Sequence, residues 1–206
     1  MARTPVTPDH LDSAVRVALA ALREVPPEAW SGKAGSLDWD GWVTIEHLAD
    51  ALFSYAAQLA PPSLERAVPF AWEAKFPGAP TSVIYADRAT GPAGLLEVLE
   101  TCAAIQVAVA RTTPATTPAL HTYSPSDTEG FTAMGIVETL VHTHDVVGPS
   151  WTPSAQLCSV ALARLFPEAP TDTDPWQTLL WATGRAELPG LPRRTAEWKW
   201  DGRPRE

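Results

Sequence analysis

Residues 130–147 read GFTAMGIVETLVHTHDVV, and the fold turns on how this run is interpreted. Met134, Ile136, Val137, Leu140, Val141, Val146 and Val147 leave almost no wet face if the segment is helical, and Gly148 with Pro149 stops it. A helix apolar nearly all round must lie inside a protein. Yet Glu138, His142 and Asp145 recur at i, i+4 and i+7, and at about 3.6 residues per turn the three project within one narrow arc.

Working outward, proline and glycine divide the rest of the chain into further helices. The first is expected from about Pro8 to Glu24, with Asp9 as its cap and Leu11, Val15, Ala18, Leu19 and Leu22 on one stripe; Pro26 and Pro27 follow. A second runs from about Thr44 to Leu59 on Ile45, Leu48, Leu52, Tyr55 and Leu59, ended by Pro61 and Pro62. Ser63 to Thr90 reads as irregular, with loops, short turns or a strand pair near Ser82 to Tyr85. A third helix spans Pro92 to Arg111, and the Thr112 to Leu120 run is its linker. A fifth occupies Pro153 to Leu165 and a shorter sixth Pro175 to Thr183. The fold class is therefore all-α, an antiparallel bundle with additional short helices over residues 1–206 as a single domain.

Composition narrows the function classes. The chain has 206 residues, 45% hydrophobic and 19% charged, enough to bury a core without staples. A net charge of -9 with scattered Lys and Arg gives no nucleic-acid footprint. The opening MARTPVTPDH lacks the apolar core of a secretory signal, and no run of about 20 uninterrupted apolar residues marks a membrane span. No membrane or nucleic-acid partner is expected, and the expected location is the cytoplasm. Cys102 and Cys158 lack partners at metal-ligand or redox spacing and read as buried free thiols.

The polar residues out of place on the apolar helices are the candidates for chemistry. Glu and His four apart can converge on one ion from neighbouring turns, although the same pair also occurs as an ordinary surface contact. His47 lies at the border of the second helix's apolar arc, roughly 40° from Ala51, where it reaches the interior from the edge. Three protein ligands, His47, Glu138 and His142, would leave an open position of the kind catalytic ions use. Asp145 would stand behind them, orienting an imidazole through its other nitrogen, or would make a structural bond at the helix end. His144, about 200° from His142, should face away and pack between helices or on the surface. His10 and His121 have no motif around them and read as surface residues. Arg185 either binds an anionic ligand at the site or pins the C-terminal tail. Most of the nine tryptophans read as core, with one or two lining a pocket.

Three stretches also carry a resemblance. WDGWVTIEHLADAL (39–52), VETLVHTHDVVGPSW (137–151) and PWQTLLWATGRAELPG (175–190) resemble, in order, the signatures of the mycothiol-dependent maleylpyruvate isomerase N-terminal family, a branch of the DinB-like bundles. The resemblance implies a DinB-like four-helix bundle with a zinc-like divalent ion on His47, Glu138 and His142. It also implies activation of a low-molecular-weight thiol, mycothiol in actinobacteria, for attack on a small-molecule electrophile. The 206 residues leave no room for the isomerase's additional C-terminal domain, so thiol transfer or isomerisation in general is expected, not maleylpyruvate isomerisation in particular. Two other classes use the same residues: a stress-response bundle that binds a ligand or metal without turnover, and a metal-dependent hydrolase with water at the open position.

Overall fold

Most helices of this chain begin where a short polar side chain takes up free backbone N–H groups of the first turn, while the third has Pro92 in its first turn and no side-chain cap. The computed structural model describes residues 3–61, 66–121, 124–195 and 198–205, so the expected stop at Pro62 and the start of the irregular stretch at Ser63 lie outside the described residues. Helix α1 spans Pro8–Leu22, α2 Gly41–Leu59, α3 Gly91–Thr112, α4 Thr128–Val147, α5 Ala155–Leu165 and α6 Pro175–Ala182. Asp40 opens α2 by accepting from the Val43 N–H at 2.7 Å, Asp127 opens α4 through the Gly130 N–H at 2.7 Å, and Asp174 opens α6 through the Gln177 N–H at 2.9 Å. The cap of α1 is Thr7 and not Asp9, which sits inside the first turn. His10 serves there too, its Nδ1 accepting from the Thr7 N–H at 3.1 Å.

The protein is mostly helical. Helix α2 packs on α3 and α4, and α1 packs on the same two helices from the other side. The order around the bundle is thus α1, α3, α2, α4. Helices α5 and α6 extend the bundle beyond α4. One apolar cluster runs through all six, from Val6 through Leu48, Leu99, Ile136 and Leu162 to Trp200. Both cysteines are buried and free, and burial pushes their thiols up to about 11 at Cys102 and about 12 at Cys158.

One expectation changes and two are resolved. The run expected as a plain linker contributes a strand: β1 (Pro118–Leu120) pairs antiparallel with β2 (Pro125–Asp127), too short a hairpin for period-2 patterning to register in sequence. Of the loops, short turns or strand pair expected near Ser82 to Tyr85, the structure takes a loop, with a single bridge from Ser82 to Glu73. The N–H groups of Val83 and Ile84 donate to Asp50 and that of Ala86 to Glu46, both on α2, so the loop is tied to a helix instead of to a strand. Finally, Arg88–Thr112 is long and apolar enough by composition to match a membrane span; in the fold, α3 turns Leu95, Leu99, Ala103 and Val107 into the core.

Candidate metal centre

The three residues singled out by helical phase meet. One ligand atom from each of His47, Glu138 and His142 lies within 4.8 Å of the others, and the two imidazoles stand edge-on with ring centroids 5.4 Å apart. Helix α2 brings His47 from one side of the bundle and α4 brings the acid and the second imidazole from the other. Donors around one ion at ~2.0–2.2 Å sit roughly 3–3.5 Å from each other, so a small inward movement of these side chains would close the set on a cation. The Nδ1 of His47 is buried with no hydrogen-bond partner among the described residues, a deficit that fits a site built to hold a cation.

Each nitrogen of His142 has its own carboxylate. Nε2 lies 2.9 Å from Glu138 Oε2, and Nδ1 lies 3.1 Å from Asp145 Oδ2. Asp145 thus holds the His142 ring through Nδ1, so that Nε2 faces Glu138. Arg185 adds a third rank. Its Nη2 reaches Asp145 Oδ2 at 2.6 Å and its Nε reaches Oδ1 at 2.9 Å, a two-pronged clamp on a carboxylate that is almost fully buried. Arg185 lines the cavity and is engaged with Asp145 and the Thr183 carbonyl, and among the described residues it makes no bond to the C-terminal tail. Gly35, at φ 51, lets the loop before α2 press onto this carboxylate, where an added Cβ would stand 2.9 Å from Asp145 Oδ1.

The electrostatics favour a neutral imidazole facing a charged carboxylate. Burial, helped by His142 and opposed by Glu138, lowers His47 to about 4, so it is uncharged at neutral pH and able to ligate. For Glu138, burial acts upward, but the His142 hydrogen bond with the charges of His142, His47 and Arg185 outweighs it and holds the carboxyl at about 2. For His142, burial acts downward and is outweighed by the bonds to Asp145 and Glu138, so its pKa is raised. A cation entering the site takes the place of the His142 proton.

Two residues escaped the sequence reading. Tyr55, assigned there to the apolar stripe alone, donates its hydroxyl to Glu138 Oε1 at 3.3 Å, leaving the carboxylate held on both oxygens. His121, expected on the surface, is packed among Tyr55, Phe131 and Trp200 and lowered to about 4 by burial, against the pull of Glu138. Neither carried a signal: Tyr55 keeps perfect helical register with leucines, and His121 lies beside a three-residue strand. His144 behaves as expected, facing away to pack edge-on against Trp176 of α6.

Two cavities flank the centre. One, of about 570 Å³, is lined by Trp39, Trp198, Arg185, Arg193, Arg194 and His142. The other, of about 420 Å³, is lined by Tyr55, Trp72, His121, Phe131, Ser54 and Gln58. His47, Glu138 and Trp200 belong to both walls, so the donor cluster is the partition between them. Of the tryptophans, Trp30, Trp42, Trp176 and Trp200 are core, while Trp39, Trp72, Trp198 and Trp200 line the cavities, four where one or two were expected. Compared with protein-family models, with curated proteins and with solved structures, the chain finds no match in any of the three.

Proposed function

We propose that this protein is a metal-dependent enzyme that transfers a low-molecular-weight thiol to, or uses it to isomerise, an electrophilic small molecule. The observation that carries this reading is the placement of one three-donor cluster between two cavities: a reaction of two partners at one centre needs an approach for each. The resemblance of the three sequence stretches to the DinB-like, mycothiol-dependent maleylpyruvate isomerase N-terminal family points the same way. Two imidazoles and one carboxylate suit zinc, while iron, nickel, cobalt or manganese fit the same groups. Bound there, such an ion supplies a Lewis acid that favours thiolate over thiol at neutral pH.

The chain's own residues do the rest. His47, Glu138 and His142 would hold the cation, three donors being the set that catalytic ions use. Asp145, clamped by Arg185, keeps the His142 Nδ1 proton in place so that the Nε2 lone pair points inward. Tyr55 keeps Glu138 from swinging out of the site. A cytoplasmic location accords with this reading, because thiols of this kind are kept reduced there.

The test begins with elemental analysis of the purified protein beside its His47→Ala and His142→Ala variants. Both variants should lose the ion while circular dichroism shows unchanged helical content, since apolar stripes and not the ion hold the bundle together. The reading also requires that 1-chloro-2,4-dinitrobenzene be consumed only when a thiol is added, and not after chelation. Metal content undiminished in the variants overturns the ligand set. Consumption without thiol turns the reading to hydrolysis, and metal binding without consumption turns it to a binding module.

A further inference from the structure

The larger cavity has an electrostatic character that metal chemistry does not explain. The chain as a whole carries -9, yet this cavity is walled by Arg185, Arg193 and Arg194, and among the described residues the only carboxylate in its lining is Glu138, which belongs to the donor cluster. Arg185 is neutralised by Asp145. The other two are not paired with any carboxylate among the described residues. Arg193 donates from Nε to the Gly184 carbonyl and from Nη2 to Ser36 Oγ at 2.9 Å. Arg194 donates from Nη1 to the Ala182 carbonyl at 3.1 Å and lies over the Trp181 ring, 5.5 Å from its centroid. These neutral partners position both guanidinium groups without cancelling their charge.

We infer that the larger cavity binds a small ligand through a carboxylate or phosphate group, with Arg193 and Arg194 as its anion-binding residues. A guanidinium plane matches either oxyanion through paired N–H donors. Because each group is already tethered by one arm to the backbone turn after α6, little side-chain freedom remains to be lost when the anion arrives. Trp39 and Trp198 supply flat apolar wall between the arginines and the donor cluster. The cavity's volume of about 570 Å³ suits a small metabolite. In a two-reactant reaction, the anionic reactant enters here, and the aromatic cavity takes the other.

Anion recognition by the two arginines needs neither ion nor thiol, so the experiment uses the metal-free full chain and can fail independently of the thiol reading. Tryptophan fluorescence is followed during titration with succinate, with inorganic phosphate and with neutral succinamide. Succinate or phosphate should give saturable binding that weakens on addition of sodium chloride, and the tighter of the two identifies the ligand class. The R193Q/R194Q double variant should bind that anion about ten-fold or more weakly, and R193K/R194K should recover part of the loss by restoring charge. Should the glutamine pair fail to fold, the lysine pair and the salt dependence of the unaltered protein decide the matter. Succinamide binding as tightly as succinate, absence of binding by both anions, or equal affinity in the glutamine variant would overturn the inference.

Discussion

Asp145 shows how much one side chain can carry without touching a reactant. It is 5% exposed, accepts from Arg185 three times and from His142 once, and is held at about 2, since these bonds outweigh the burial that acts to raise it. Replacing it with asparagine keeps the shape but removes the charge that selects the His142 tautomer. Metal affinity of Asp145→Asn, read by chelator competition, should fall by about 10–100-fold, and an unchanged affinity would reduce Asp145 to a purely structural partner of Arg185. The spacing Glu138, His142, Asp145 made this chain of contacts readable in advance, because helical geometry alone sets it. Arg185's attachment to Asp145 was not readable, because forty residues and two helices separate them.

Between elements, a tight constraint lies where α4 meets α3. Gly135 has no side chain, and the Gln106 amide fills the space: an added Cβ would stand 2.7 Å from Gln106 Oε1, while Gln106 Nε2 donates to the Phe131 carbonyl at 3.0 Å. Gly135→Ala should therefore destabilise the fold by about 1–3 kcal/mol in denaturant unfolding despite its better helix propensity. Adding Gln106→Ala should recover part of that loss, since the two sites are coupled through one space. A stabilised Gly135→Ala would mean that α3 and α4 are not held at this distance. The consequence for function is direct, because α4 carries Glu138 one turn further on and its seating sets how far that acid lies from His47.

At the scale of the molecule, the C-terminal tail is part of the site. Trp198 and Trp200 line the larger cavity, and the tail is fastened beside them by Asp201 N–H to the Leu165 carbonyl at 2.8 Å, by Arg205 Nε to the Arg164 carbonyl at 2.9 Å and by Arg164 Nη2 to the Gly202 carbonyl at 3.3 Å. Hydrogen bonding from Arg203 is the largest influence on Asp201, and with the charges of Arg203 and Arg205 it outweighs burial to hold the carboxyl at about 2. The folded value is below the unfolded one, so this contribution is complete above the ordinary carboxylate range of about 4 and disappears as pH falls through about 2. Acid should thus free Arg205, which Asp201 holds beside its bond to the Arg164 carbonyl, and so loosen the tail: the emission of Trp198 and Trp200 should shift toward that of exposed indole between about pH 4 and 2, and Asp201→Asn should show part of that shift at neutral pH. Emission that is constant over this range, or unaltered in Asp201→Asn, would show the tail to be held by its backbone bonds alone.

By itself, the sequence determined the helical segments and the facing of their polar residues. Punctuation by proline and glycine and a period of 3.6 are local properties that each segment possesses before any packing. The same locality put Glu138, His142 and Asp145 on one stripe and His47 at the edge of another. Only the tertiary structure decided that the two stripes meet, that Tyr55 and His121 leave the ranks of packing residues to face the donors, that residues 118–120 become a strand, and that the arginines of the tail wall one of two cavities. These depend on which surfaces remain to be covered once α1 to α4 have assembled, a property of the whole chain that no window of residues contains.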